Sequence, residues 1–158
     1  MAVAPLPKAA LDNLAGFLSI GPSLLIVTVD AGAVPEVCRC AAARLGEDGL
    51  IRLAVPLPEG ERAIANVAAT GAIALTATRP STYHGIQVKG RDAQAADWPE
   101  LAEVVEAHAR AFTLEAERMG VRGLIDRLWS KRFRCVVFTP DAIFDQTPGA
   151  TAGHLISA

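Results

Sequence analysis

The sequence predicts a mainly β protein, an antiparallel barrel carrying a few helices on its periphery. Three observations predict it. Short β-branched runs such as "SLLIVTVD", "LIRLAV" and "AIALTAT" follow one another with turn residues between them. Only a few stretches show helical spacing. The strict strand–helix alternation of a doubly wound sheet is missing, and so is a G-x-G-x-x-G turn.

The elements follow in order. Leu11, Leu14, Ala15 and Leu18 recur at helical spacing, which predicts a helix over 8–19, stopped by Gly21-Pro22. "SLLIVTVD" is a first strand, "PEVCRCAAARL" a second and "LIRLAV" a third, closing at Pro56. Ile64, Val67 and Ala68 mark a short helix with Gly71 as its C-cap. "AIALTAT" is the fourth strand. A fifth starts near Tyr83 and runs through "GIQVKGRDAQA", where Gly90 signals a bulge or a close backbone approach. Asp97 and Glu100 have capping-box spacing ahead of a long helix whose apolar face carries Leu101, Val104, Val105, His108 and Phe112. Leu124, Ile125, Leu128 and Trp129 suggest another short helix. "FRCVVFT" and "AIFDQ" form the last strand or hairpin arm, and residues 146–158 read as an extended tail.

Bulk properties narrow the function. The 158 residues, 51% hydrophobic and 20% charged, suit a single domain (1–158) with a packed core. A formal net charge of -2 lacks the basic field of a nucleic-acid binder. Three cysteines make no disulfide framework and point to a reducing compartment. No signal peptide is evident. The uncharged stretch 13–29 is broken by Gly21-Pro22 and is shorter than the about 20 residues of a spanning helix. The expectation is a cytoplasmic protein with no nucleic-acid and no membrane partner.

Several residues carry candidate chemistry. Cys38 and Cys40 lie two apart in a strand, so both thiols share a face; they read as small packed side chains rather than a metal pair. No metal set is expected. His108 falls on an apolar helix face and reads as a satisfied core histidine. Arg62 sits in the first turn of a helix, where free N–H groups and a guanidinium suit a phosphate. The alternative is a surface arginine paired with Glu59 or Glu61. In "RPSTYHGIQVKGR", regular alternation sets Tyr83, Gly85, Gln87 and Lys89 on one face, which suits a flat polar-edged heterocycle. Tyr83 or His84 would be the groups to assist proton transfer, or simply pack.

The stretch "RAIANVAATGAIALTATRPSTYHGIQVKGRDAQ", from Arg62 to Gln94, resembles the pyridoxamine 5'-phosphate oxidase-like family, the FMN-binding split barrels. The order of strands over 23–96 resembles it too. The ending "FDQTPGATAG" is similar to that of a subgroup of short bacterial members. The resemblance implies a six-stranded antiparallel Greek-key split barrel with peripheral helices. It implies a homodimer with FMN sites between the subunits. Leu53, Ala54, Val55 and Pro56 would contact the flavin through backbone and edge. Arg62 would bind the FMN phosphate, joined by Arg39. Ser81, Thr82, Tyr83 and Gln87 would line the flavin pocket, with Lys89 at its rim. The Trp- and Arg-rich closing segment of true pyridoxamine phosphate oxidases is absent, so that activity is not expected. The function implied is a flavin-dependent oxidoreductase of a small molecule, with no catalytic residue assigned. The alternatives are a non-catalytic flavin or cofactor-binding module and a cofactor-less dimeric scaffold.

Overall fold

The computed structural model describes residues 5–123 and 132–158. Along them run α1 (Lys8–Ser19), β1 (Ser23–Val29), β2 (Pro35–Cys40), β3 (Ala42–Leu45), β4 (Ile51–Pro56), α2 (Glu61–Thr70), β5 (Ile73–Thr78), β6 (Gly85–Ala96), α3 (Leu101–Arg118), β7 (Phe133–Asp145) and β8 (Leu155–Ser157). The short helix suggested around Leu124–Trp129 lies outside the described residues. All eight strands join one antiparallel sheet in the order β2-β1-β5-β6-β7-β4-β3, with β8 on β7.

The count of six strands is corrected to seven along this path, plus β8. The cause is local. "PEVCRCAAARL" reads as one strand, but the chain bends at Ala41 and splits it into β2 and β3. These two pieces occupy the opposite ends of the sheet path, yet one residue separates them. The sheet is therefore curled round on itself. The Ala41 N–H donates to the Ala54 carbonyl at 2.8 Å, which secures the bend.

The core sits inside this curl. Leu24 and Ile26 alternate inward from β1, and Leu53 and Val55 from β4, with Leu75, Val88, Val136 and Phe138 from the other long strands. α1 has the expected bounds and buries Leu14 and Leu18 on this core. Gly21 then takes φ 75° ahead of Pro22, so the chain leaves the helix sharply. α2 is tied to the end of β1 by two side chains. Asn66 Nδ2 donates to buried Thr28 Oγ1 at 3.2 Å, and Thr70 Oγ1 donates to the Val29 carbonyl at 2.9 Å. Gly71 closes α2 in the left-handed region, as its position predicts. Ala68, placed on the packed face by spacing, is exposed; Ala63, Asn66 and Val67 are the buried ones.

The long helix α3 lies outside the sheet, its Val105 against Ala41, Ala42 and Ala54. These alanines let a helix approach a strand closely. No capping box forms at its start: Glu100 is the cap residue and makes no side-chain cap bond. The backbone supplies the contact instead, Leu101 N–H to the Trp98 carbonyl at 3.0 Å. β7 is a single strand through Thr139-Pro140 rather than two arms. Its register with β6 shifts beside Gly90, directly opposite Pro140. A proline cannot donate to the ladder, so the irregularity falls where the sheet loses least. Past β7 the chain is not simply extended. Asp145 accepts from Thr147 N–H at 2.8 Å and Thr151 Oγ1 at 2.6 Å, folding a loop back to β8.

Candidate functional site

The sheet alternates, so each strand has an inner and an outer row. Cross-strand partners place the outer rows side by side. Arg39 pairs with Leu25, Leu25 with Thr76, Thr76 with Gln87, and Gln87 with Phe144. The next row runs Val37, Val27, Ala74, Lys89, Ala142. Directly opposite residues share a face. The outer face of β2-β1-β5-β6-β7 thus carries Arg39, Gln87 and Lys89 on a floor of aliphatic and aromatic carbon. That floor is uncovered in the single chain: Val37 is 59% exposed and Leu25 38%. Gln87 Nε2 donates to Thr76 Oγ1 at 3.3 Å. The Lys89 ammonium stands 4.7 Å from the Phe144 ring centroid, a cation held over an aromatic face. Three strand spacings separate Arg39 from the Gln87–Lys89 pair, roughly 14 Å.

The two arginines assigned to phosphate are not brought together within one chain. Arg39 points outward from β2. Arg62, at the start of α2, reaches Glu36 on the other face of β2, Nε to Oε2 3.4 Å. Its partner is thus Glu36, not Glu59 or Glu61.

Leu53, Ala54, Val55 and Pro56 are all buried. Leu53 and Val55 point into the core and Ala54 lies beneath α3. The Ala54 carbonyl accepts from Ala41 N–H, and the Pro56 carbonyl from Gly60 N–H at 2.8 Å. Within one chain this segment is separate from the Gln87–Lys89 face.

The loop 79–84 joins β5 to β6. Tyr83 does not share the strand face with Gln87. It sits in the turn at φ 59°, 62% exposed, because Arg79 N–H bonds to the His84 carbonyl and Tyr83 N–H to the Arg79 carbonyl. Regular alternation starts only at Gly85. Thr82 is exposed, its Oγ1 accepting from His84 N–H at 3.3 Å, and the His84 ring meets Phe17 edge-on at 5.0 Å. Ser81 is half-buried and donates to Glu115.

Glu115 is the residue that sequence reasoning missed. It is 2% exposed on α3 and accepts from Arg79 Nε at 3.1 Å, Arg79 Nη2 at 3.0 Å, Ser81 and Arg118. The Arg79 hydrogen bonds above all hold its carboxyl at about 2, against the opposing pull of burial. A signal was present: Glu115 lies three residues beyond Phe112, on the apolar face that the spacing traced only that far.

His108 is buried with Nε2 2.9 Å from the Pro22 carbonyl, and burial lowers its pKa. Cys38 and Cys40 do share a buried face, without a disulfide. Burial pushes Cys40 up to about 12 and raises Cys38 and Cys135 as well. All three thiols should therefore resist a disulfide reagent near pH 8 and react only once denaturant unfolds the chain. Rapid labelling of the native protein would contradict this. Among the described residues no three His, Cys, Asp or Glu converge as a metal set, and no helix is long and apolar enough to cross a membrane.

Among the described residues, a cavity of about 520 Å³ lies between α1, β3 and α3, and another of about 280 Å³ lies between α1, Ile86 and Ile143. Neither is lined by a residue expected to hold the cofactor. Those residues lie on open surface or in the wall of the barrel.

No protein-family model matches the chain, and no curated protein matches its sequence. Solved structures do match its fold. HupZ of Group A Streptococcus aligns with a TM-score of 0.56 at 17% identity, over 90% of this chain and 98% of that one. HutZ, a heme storage protein of Vibrio cholerae, aligns at 0.53 and 14% identity, over 85% and 92%. A candidate pyridoxamine 5'-phosphate oxidase of Lactobacillus delbrueckii aligns at 0.51 and 16% identity, over 89% and 93%. The chain has the pyridoxamine 5'-phosphate oxidase-like split-barrel fold. At such identities the likeness speaks for fold, not for ligand.

Proposed function

We propose that this protein binds FMN on the outer sheet face as a homodimer and serves as a flavin-dependent oxidoreductase of a small molecule. The observation that carries the reading is the uncovered row of Arg39, Leu25, Thr76, Gln87 and Phe144, flanked by Lys89 and Val37. The donor set fits the cofactor. Aliphatic and aromatic carbon suits the flat ring, the Gln87 amide suits its polar edge, and a guanidinium suits a phosphate. The open face supplies one wall of a cleft, and a second copy of the chain supplies the other. Covering the exposed Leu25 and Val37 contributes to that association. When bound, FMN supplies the redox chemistry. The residues of this chain bind and orient it and keep water from the ring. Arg39 would hold the phosphate at its end of this face. Arg62, on the other face of β2 and paired with Glu36, would serve as the second phosphate ligand only once released from Glu36.

The visible spectrum of the purified protein, before and after FMN is added, tests this reading. Saturable binding by a dimer is expected; no retained flavin and no saturable binding would end it. Arg39→Ala and Arg62→Ala should each weaken binding by about 1.5–3 kcal/mol, the worth of a charge-assisted hydrogen bond. Glu36→Gln should tighten it, because Arg62 is then released. Unchanged affinity in Arg62→Ala removes Arg62 from the site.

One observation favours a second reading, a cofactor-binding module without turnover. Arg62 is committed to Glu36, which weakens the phosphate end. Reduction of the bound flavin by NADH or NADPH, followed by reoxidation, separates the two. A module would hold flavin and show neither step.

A further inference from the structure

We infer that Glu115 is a positioning residue that sets the shape of the 79–84 loop and thereby the entry of β6, the strand that carries Gln87 and Lys89 into the proposed flavin face. The inference rests on the flavin reading for its consequence, though not for its geometry. Glu115 and Arg79 are 36 residues apart in sequence, and the carboxylate is almost wholly buried. Oε2 accepts from Arg79 Nε and Ser81 Oγ; Oε1 accepts from Arg79 Nη2 and Arg118 Nη1. A two-pronged guanidinium–carboxylate contact fixes orientation as well as distance, because the fork must match both oxygens. One carboxylate thus fixes residues 79 and 81 of a loop whose next residues are exposed.

The other end of the loop is fixed separately. Gly85 N–H donates to Thr147 Oγ1 at 3.2 Å, and Gln146 N–H donates to the Gly85 carbonyl at 2.8 Å. Between these anchors Tyr83 holds a positive φ that a non-glycine residue seldom adopts. Such a conformation persists only where the surroundings over-determine it. Glu115 supplies the α3 half of that constraint.

The contact also decides what Ser81 offers a ligand. Its hydroxyl has one proton, and that proton is given to an ionised carboxylate. Towards a ligand Ser81 is therefore an acceptor. It matches an N–H edge of a heterocycle, not a carbonyl.

Tyr83 is the single tyrosine of the chain, so fluorotyrosine labelling gives one 19F resonance that reports the loop. In Glu115→Gln this resonance should shift and broaden, while FMN affinity falls about tenfold, the size expected when displaced residues loosen about one hydrogen bond to the cofactor. A folded Glu115→Gln protein with an unmoved resonance overturns the inference. A moved resonance with unchanged FMN affinity overturns its link to the wall. If the wild-type protein binds no FMN, the functional proposal fails, and the clamp is judged on the Tyr83 resonance alone. If Glu115→Gln does not fold, Arg79→Lys supplies the same two readings, because it keeps the charge and loses the two-pronged contact to Glu115, with a smaller shift expected.

Discussion

Gly90→Ala will lower the unfolding free energy by about 3 kcal/mol, at the upper end for an overpacked core site. A Cβ at this position would stand 2.6 Å from the Thr139 carbonyl oxygen and run into the Phe138 ring. Neither can yield. Thr139 is backbone in the middle of β7, and Phe138 is 1% exposed at the centre of the core. The register shift beside Gly90 is the sheet's accommodation to that ring. For a chain of this size the loss corresponds to about 10 °C in Tm. Urea unfolding checks it: the midpoint should fall with the slope unchanged. Gly16→Ala is the control. Nothing lies within 4 Å of the added methyl on α1, and removing a helical glycine should raise stability slightly. Equal effects from both substitutions would refute the packing argument. Because Lys89 adjoins Gly90, the damaging variant should also displace a residue of the proposed flavin face.

Acid will destabilise this protein in part through Glu115. Its carboxyl is held at about 2 in the folded state against an ordinary 4.5, chiefly by the Arg79 hydrogen bonds. The unfolded chain takes up a proton in that interval and the folded chain does not. Stability is therefore full above pH about 4.5 and falls as the pH drops towards about 2. The full shift would be worth roughly 3 kcal/mol. Arg79 is a third exposed and Arg118 more than half, so solvent screening reduces this to roughly 1–2 kcal/mol. Asp48 and Asp145 are likewise held at about 2, by Arg52 and by Thr151 respectively, and add in the same direction. Urea midpoints at pH 6 and pH 3 test the assignment. Glu115→Gln should lie below wild type at pH 6 and close much of that gap at pH 3. A gap of the same size at both would show that the carboxylate is not the linked group.

Legibility followed the range of the interaction. α1 was readable to both ends because spacing, Gly21 and Pro22 are all local signals. Gly71 and Gly90 announced their roles, since each is demanded by backbone geometry at one point. The strand number was not readable. Whether "PEVCRCAAARL" bends depends on Ala54 being present to receive the Ala41 N–H, and Ala54 belongs to another strand. Tyr83 was placed on a strand because alternation cannot show where a turn ends. The Asp97–Glu100 spacing was a true pattern without its hydrogen bond.

For the site, the sequence by itself determined the kinds of group available: the guanidiniums Arg39 and Arg62, the Gln87 amide, the Lys89 ammonium and the β-branched strands that carry them. Strand period alone set Gln87 and Lys89 on one face. Only the tertiary structure decided which groups meet. It put Arg39 on that same face three strands across, turned Arg62 to Glu36, and buried Glu115 against Arg79 and Ser81. The reason is physical. Periodicity is a property of the backbone's own repeat, whereas pairing register and ion-pair choice arise from residues tens of positions apart that meet only once the sheet has curled.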